Sequence, residues 1–284
     1  MSRRIVVTGS AGRIGRYVVR DLRQAGHDVV GIDIVNPSSP DVDMQVDLTD
    51  AGQVCGALAG ADAVAHIGAW ANAGFVPDTR TYGDNVCGTY NVFQACADLG
   101  ITRIVSASSA QVYGFFGHAP LYAPIDEDHP LRPLNSYATS KIAGEQAAEY
   151  FHDRYDLQIS SFRFMGVRRP DELPAQIAAI HEDPATDSGL LWTRTDARDA
   201  AAACRLALAA QDPPSGVFNI TGAEVAVDVD STELMATHFP DTESRSELGG
   251  RQSPLSCVRA EQAFGYRPRF TWSLQQQHPE TDSA

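Results

Sequence analysis

A glycine-rich segment near the N-terminus constrains the fold more than any other part of the sequence. Residues 8–15 read TGSAGRIG and directly follow the apolar run IVV at 5–7. Glycines at this spacing allow a tight turn, a close approach of backbone to a pyrophosphate and close packing of a helix on a strand, while the helix N-terminus offers N–H groups to an anion. The segment therefore predicts a strand, a phosphate-binding turn and a helix at the start of a dinucleotide-binding fold.

A carboxylate stands where the second strand of such a fold should end. Asp33 lies 24 residues after Gly9 and closes the run DVVGID. At that point a carboxylate can accept hydrogen bonds from ribose hydroxyls, and it would repel a 2′-phosphate. We therefore expect NAD rather than NADP as the cofactor, although Arg13 and Arg16 could contact a phosphate and leave the preference incomplete.

Short β-branched runs alternate with longer amphipathic stretches through the first half of the chain. The pattern predicts strands at 4–8, 28–33, 44–47, 63–67, 103–108 and 159–164, and helices at 13–25, 50–59, 84–98 and 136–155. Such alternation is typical of an α/β, Rossmann-type, doubly wound parallel sheet. We expect residues 1–165 to form the NAD-binding domain and to carry the catalytic residues.

The pattern loosens after residue 165 into shorter pieces. It predicts helices near 173–182, 196–210 and 231–238, with strands near 189–193 and 217–221. We expect residues 166–274 to form a small substrate-binding lobe, partly interleaved with the Rossmann core. The polar stretch 275–284 is predicted to be a disordered tail.

Charge and cysteine content exclude several classes of protein. The chain of 284 residues has 22 basic and 36 acidic residues, a net charge of −14, which disfavours nucleic-acid and membrane-surface partners. No apolar run approaches the roughly 20 residues of a membrane span, and no signal peptide is recognisable, so we expect a cytoplasmic protein. The five cysteines are odd in number and never in CxxC, which argues against a disulfide framework or a metal site.

Lys141 is the only lysine among the 22 basic residues. It follows Tyr137 by four residues, so that the phenol and the ammonium share one helical face. A free phenol has a pKa near 10, and a neighbouring positive charge would lower it towards the range useful for proton transfer. Ser108 and Ser109 lie at the carboxyl end of a predicted strand, where doubly wound folds place their ligands.

With these motifs the chain resembles the extended short-chain dehydrogenase/reductase family, which includes NAD-dependent sugar epimerases, dehydratases and uronate dehydrogenases. The resemblance covers residue 3 to about 222. It rests on the glycine loop, Asp33, and the segments DL (47–48), HIGA (66–69), NVCGTYN (85–91), SSAQVYG (108–114), YATSK (137–141) and DARD (196–199).

The resemblance implies a role for each matching residue. Tyr137 would be the acid/base, Lys141 the group that lowers its pKa and binds nicotinamide ribose, and Ser109 the hydroxyl partner of the reacting oxygen. Asn85 would serve in a proton relay or tie two backbone segments together, and His66 would be a packed residue at a strand end. The implied cofactor-binding residues are Gly9, Gly12, Arg13, Ile14, Gly15, Asp33, Asp47, Leu48, Gly68, Ala69, Tyr137 and Lys141.

Departures from the family pattern narrow the expected chemistry. Ala110 and Gln111 stand where dehydratases of this family carry an Asp-Glu pair, so dehydration is disfavoured. Arg163 is followed three residues later by Gly166, where nucleotide-sugar epimerases have Asn, and only about 25 residues then precede Trp192. The resemblance is therefore strongest to uronate dehydrogenases and related sugar dehydrogenases.

These observations favour an NAD-dependent oxidoreductase that acts on a hydroxyl-bearing carbon of a sugar, sugar acid or sugar phosphate. An NAD-dependent sugar or nucleotide-sugar epimerase is the alternative, and a non-catalytic NAD-sensing module ranks behind both because the Tyr-Lys pair is retained. The family also suggests a homodimer formed through the helices at 84–98 and 136–155. Candidate substrate contacts are Trp70, Asn72, Ser109, Gln111, Arg168 and Arg169.

Overall fold

The apolar runs of the first half form the strands of one mostly parallel sheet. The computed structural model describes residues 2–37 and 39–271 of the chain. Its strands are β1 (Arg4–Thr8), β2 (Asp28–Asp33), β3 (Met44–Gln45), β4 (Ala63–His66), β5 (Arg103–Ser109), β6 (Tyr122–Ala123), β7 (Gln158–Phe164), β8 (Gly216–Ile220) and β9 (Glu243–Ser244). Seven of them form a sheet in the order β3-β2-β1-β4-β5-β7-β8, while β6 pairs with β9. The crossover from β3 back past β1 to β4 is that of a doubly wound fold, which confirms the predicted fold class.

The helices follow the strands as the apolar spacing predicts. They are α1 (Gly15–Gln24), α2 (Ala51–Leu58), α3 (Asp78–Leu99), α4 (Ser136–Tyr155), α5 (Leu173–Glu182), α6 (Ala197–Ala209), α7 (Ser231–His238) and α8 (Val258–Phe264), with 3₁₀ helices at Ala110–Tyr113 and Pro184–Leu190. Helix α3 begins earlier than the predicted residue 84, because the Pro77 carbonyl accepts the first N–H groups, those of Arg80 and Thr81. Its end at Gly100, with φ of +72°, is where the sequence places it.

The chain divides into two compact units. The first contains residues up to 109, 135–162 and 201–217, and the second contains 110–134, 163–200 and the residues from 218 onwards. The first unit has a core under the sheet that includes Val6, Ile32, Val64, Phe93 and Phe151. The second unit has its own core, built around Trp192, Ile177, Val225 and Leu234.

The strand predicted near 189–193 is wrong. Residues Pro184–Leu190 form a 3₁₀ helix instead, and Leu191 and Trp192 follow it with φ of +52° and +54°. Both side chains are fully buried. The apolar run therefore marks burial in the core of the second unit rather than a strand.

The predicted tail at 275–284 lies outside the described residues. Among those that are described, no helix is both long and apolar enough to cross a membrane. Within the same residues, no three His, Cys, Asp or Glu side chains are grouped so as to hold a metal ion.

Candidate active site

The glycine loop packs so closely that side chains are excluded at two of its positions. Gly9 has a φ of +67°, and a Cβ on it would lie 2.5 Å from the Cα of Gly68. A Cβ on Gly15 would lie 2.0 Å from the Gly9 carbonyl oxygen. The backbone at the end of β1 therefore touches both the start of α1 and the end of β4.

The N-terminus of α1 is open to an anion. Among the described residues, no side chain caps it and its first turn contains no acidic residue. Backbone N–H groups and the positive end of the helix dipole at such a terminus favour a phosphate. The residues present therefore fit the pyrophosphate of a dinucleotide, with Gly12, Arg13 and Ile14 in the turn.

Asp33 is brought to the glycine loop as the sequence predicts. It ends β2, and its Oδ2 accepts the Ala11 N–H at 2.9 Å. Its Oδ1 accepts the Val35 N–H at 3.3 Å. Both bonds fix the carboxylate beside the loop, and its role towards a ribose stays a prediction.

Asp47, Leu48, Gly68 and Ala69 follow β3 and β4. Asp47 Oδ1 accepts the Thr49 N–H at 2.9 Å and orders the turn into α2. A Cβ on Gly68 would lie 2.8 Å from Leu48 Cδ1. Leu48 and Gly68 are therefore adjacent in the first unit, as a shared cofactor-binding role requires.

His66 is a buried structural residue at the end of β4. The Thr8 hydroxyl accepts the N–H groups of Ile67 and Gly68 at 3.1 and 2.9 Å, so its single proton goes to His66 Nδ1, 2.9 Å away. His66 Nε2–H then donates to Thr89 Oγ1 at 3.1 Å. Burial lowers the pKa of His66 to about 3, and the charge of Lys141 acts in the same direction, so the ring is neutral and holds the turn in place.

Asn85 ties backbone segments together. Its Oδ1 accepts the Trp70 N–H at 2.8 Å, while its Nδ2 donates to the Trp70 carbonyl at 3.2 Å and to Ser140 Oγ at 3.1 Å. The Trp70 indole N–H donates to Asp84 at 2.8 Å. These bonds realise the second of the two roles considered for Asn85, and the proton relay stays a prediction.

Ser109, Tyr137 and Lys141 come together in the first unit. Ser109 ends β5, and the other two lie on the buried face of α4, whose first turn is capped by Asn135 through a 2.8 Å bond from the Ala138 N–H. The Lys141 ammonium lies 5.6 Å from the centre of the Tyr137 ring and donates to the Ala107 carbonyl at 2.8 Å. The predicted trio is therefore one cluster.

The cluster is buried enough to shift the pKa of both its titratable groups. Burial raises the pKa of Tyr137 to about 12, and a side-chain hydrogen bond with Ser109 acts in the opposite direction. Burial lowers the pKa of Lys141 to about 8, and the charge of Glu145 acts in the opposite direction. At neutral pH the site therefore holds a phenol beside an ammonium.

Glu145 is a functional candidate that the motifs did not identify, and Ser108 is its hydrogen-bond partner. Ser108 Oγ donates to Glu145 Oε1 at 2.5 Å, so Ser108 has a partner other than Tyr137. The role of Ser109 as the hydroxyl partner of the reacting oxygen stays a prediction. Glu145 follows Lys141 by four residues on α4. That spacing, with two charged residues on a buried helical face, is the signal that could have found it.

The remaining substrate candidates have local partners. Asn72 is exposed, and its Oδ1 accepts the Ala73 N–H at 3.0 Å. Gln111, Arg168 and Arg169 belong to the second unit. Arg168 Nε donates to Gln176 at 2.7 Å, and Arg169 Nε donates to Asp171 at 3.1 Å.

A glycine cradle at the first turn of a doubly wound sheet, together with a buried Ser-Tyr-Lys cluster, defines the class of short-chain dehydrogenases and reductases. The chain belongs to the NAD-dependent epimerase/dehydratase family within that class, whose model matches residues 5–221. This membership confirms the predicted family and the expected NAD cofactor.

Known dehydrogenases are similar to this chain in sequence. A uronate dehydrogenase of Pseudomonas syringae pv. tomato is 32% identical over 165 residues, 56% of this chain and 58% of that enzyme. An L-arabinose 1-dehydrogenase (NAD(P)(+)) of Haloferax volcanii is 32% identical over 179 residues, 60% of this chain and 69% of that enzyme. The match to the uronate dehydrogenase thus spans less than two thirds of its length.

The fold resembles that of a solved protein with a bound cofactor. A short-chain dehydrogenase/reductase superfamily protein from Agrobacterium tumefaciens, solved with bound NAD, superposes with a TM-score of 0.75. It is 25% identical to this chain, and the match covers 96% of this chain and 95% of the other.

Proposed function

We propose that the protein is an NAD-dependent oxidoreductase that oxidises a hydroxyl-bearing carbon of a sugar, sugar acid or sugar phosphate. The observation that carries this proposal is the buried Ser109, Tyr137 and Lys141 cluster, in the same unit as the glycine cradle. The names of the uronate and arabinose dehydrogenases support the substrate class.

The first unit carries the residues proposed to hold NAD. The glycine loop would contact the pyrophosphate, Asp33 the adenosine ribose, Asp47 and Leu48 the adenine, and Gly68 and Ala69 the middle of the cofactor. When bound, NAD supplies the acceptor for the hydride that leaves the substrate carbon. Asp33 would accept hydrogen bonds from ribose hydroxyls and repel a 2′-phosphate, which favours NAD over NADP.

Tyr137 is proposed to take the proton of the substrate hydroxyl. Its phenolic oxygen must first be ionised, and burial opposes this: the pKa of Tyr137 is raised to about 12 even with the Ser109 hydrogen bond, which acts in the opposite direction. The Ser109 hydroxyl and the Lys141 ammonium counter that effect, because a hydrogen bond and a positive charge both stabilise a phenolate. In the reverse direction, the Tyr137 phenol returns the proton to the oxygen of the carbonyl.

The substrate is proposed to be small. Trp70, Asn72 and Ser109 of the first unit are the proposed contacts. Gln111, Arg168 and Arg169 stay candidates from the sequence. An arginine can form two parallel hydrogen bonds to a carboxylate or phosphate, which is why an acidic sugar is included in the substrate class.

One assay separates the proposed function from its alternative. Aldoses, uronates, sugar phosphates and nucleotide sugars are incubated with NAD while NADH absorbance is recorded, and Tyr137→Phe serves as the inactive control. We expect net NADH from a monosaccharide class, with turnover reduced in the control by roughly 10²–10⁴-fold. An isomerised sugar without net NADH would instead establish an epimerase.

We also propose a cytoplasmic homodimer formed through α3 and α4. Four tyrosines on these helices, Tyr82, Tyr90, Tyr150 and Tyr155, are between 39% and 47% exposed, and aromatic residues are enriched at interfaces. Sedimentation of the wild type should give twice the chain mass, and Tyr150→Glu should shift it towards the monomer. Val258→Glu, a change on the exposed face of α8, is the control, and equal behaviour of the two variants would contradict this interface.

A further inference from the structure

A buried carboxylate lies one helical turn beyond the only lysine of the chain. Lys141 and Glu145 are 7% and 8% exposed, and their four-residue spacing places them on one face of α4. Both are fixed to consecutive residues of β5. Lys141 Nζ donates to the Ala107 carbonyl at 2.8 Å, and Glu145 Oε1 accepts the Ser108 hydroxyl at 2.5 Å.

We propose that Glu145, held by Ser108, is a positioning residue that keeps Lys141 in its ammonium form beside Tyr137. The inference rests on the proposed function, since it assigns to Lys141 the task of stabilising the Tyr137 phenolate. A buried carboxylate is costly unless it is paired or hydrogen-bonded. Glu145 meets this condition through Ser108, and its charge then favours the charged form of the lysine.

Among the residues that the structure describes, the other groups named around Lys141 do not supply this charge. Burial disfavours the ammonium, and the pKa of Lys141 is lowered to about 8 even with the charge of Glu145, which acts in the opposite direction. His66 is neutral near pH 8, because burial lowers the pKa of its ring to about 3. The groups near Lys141 are Tyr137 on the same helix, His66 on β4 and the Ala107 carbonyl on β5. Asn85 on α3 is hydrogen-bonded to Ser140, the residue before Lys141.

The single lysine allows a direct test. Protein labelled with ¹³C-lysine gives one side-chain Cε signal, because the sequence contains no other lysine. Its chemical shift is followed against pH in the ligand-free wild type and in Glu145→Gln, which keeps an oxygen acceptor for Ser108 and removes the charge. We expect the midpoint to fall by about one pH unit in the variant, the lower end of the effect of a nearby opposite charge.

Two further variants sharpen the result. Glu149→Gln changes an exposed carboxyl on the same helix and should leave the midpoint unchanged. Ser108→Ala keeps the Glu145 charge and removes the bond that fixes it, so the midpoint should fall by a smaller amount. Should Glu145→Gln fail to fold, Ser108→Ala decides alone. An unchanged midpoint of the lysine titration in Glu145→Gln, or in Ser108→Ala if Glu145→Gln does not fold, overturns the proposal.

The same shift should be visible in turnover. With a substrate identified by the NADH assay, the alkaline limb of the pH–rate profile should move to lower pH in Glu145→Gln by the amount measured for the lysine signal. A merely structural role would lower the rate at every pH without moving the limb. If no substrate class yields NADH, the proposed function fails, while the lysine titration still decides the role of Glu145.

Discussion

At the residue scale, Lys141 has a property that arginine lacks. Its ammonium donates to the Ala107 carbonyl at 2.8 Å inside a buried site, and it can lose its proton there, which a guanidinium cannot do. Burial lowers its pKa to about 8. The ammonium therefore predominates at neutral pH and is lost as the pH rises through about 8.

Lys141→Arg should lower turnover by roughly 10²-fold or more, because the planar guanidinium cannot occupy the position of the ammonium beside Tyr137. Arginine stays charged at every accessible pH, so the alkaline limb near pH 8 should be absent from the variant's pH–rate profile. The measurement is that profile for both proteins, with NAD binding and the urea midpoint as controls for folding. Superimposable profiles would show that Lys141 has no part in catalysis.

Local motifs predicted that Ser109, Tyr137 and Lys141 lie together, and their roles stay predictions. Tyr137 and Lys141 are four residues apart on one helix, and Ser109 ends a strand, so short stretches of sequence contain the necessary information. The Ser108–Glu145 bond spans 37 residues and depends on how α4 packs on β5. No local pattern encodes that packing, which is why this pair was missed.

At the scale of elements, the turn between β1 and α1 depends on missing side chains. A Cβ on Gly15 would lie 2.0 Å from the Gly9 carbonyl, and this contact involves backbone that cannot yield easily. Gly56 in α2 is different, since it is exposed and nothing lies within 4 Å of an added Cβ.

Gly15→Ala should therefore separate α1 from β1, weaken NAD binding and destabilise the protein by about 1–3 kcal/mol, as overpacking does. Gly56→Ala should stabilise it by about 0.5–1 kcal/mol, because alanine favours a helix. Urea denaturation and NAD titration of both variants check this. Equal effects of the two substitutions would mean that the close packing at Gly15 is unimportant.

Secondary-structure elements were predictable where the spacing of apolar residues fits only one type of element. The runs that form β1, β2, β4 and β5 are short, β-branched and followed by turn residues, and all four are strands. The apolar run near 189–193 lacks this combination of features. Its residues Leu191 and Trp192 adopt positive φ values, which L-residues rarely do. Packing of Trp192 in the second core overrides the local preference there.

On the scale of the whole molecule, the second unit is assembled from three separate stretches of chain. The sequence suggested interleaving from the loosened pattern after residue 165. It could not show that 110–134 also belongs to that unit, because Ile125 and Glu127 are buried and hydrogen-bonded to partners distant in sequence, the Pro254 carbonyl and the Asn219 N–H. Long-range burial of this kind also places charged groups inside, as at Asp199.

Asp199 links the stability of the fold to pH. It lies in α6, is 1% exposed, and accepts the N–H groups of Arg269 and Phe270 at 3.0 Å. Burial raises its pKa from 3.8 to about 6, so the folded protein binds this proton more tightly than the unfolded chain. Its contribution to stability is therefore complete below pH 3.8 and is lost as the pH rises through about 6.

Asp199→Asn should remove this dependence, because an amide keeps an oxygen acceptor but does not ionise. A shift of about two pH units corresponds to about 3 kcal/mol, so the variant should gain up to that amount relative to wild type between pH 4 and pH 8. Urea denaturation at intervals across this range measures the difference in unfolding free energy. Asp98→Asn, at an exposed position on α3, is the control whose difference from wild type should stay constant. A constant difference for Asp199→Asn as well would mean that the buried carboxyl does not bind its proton more tightly in the folded state.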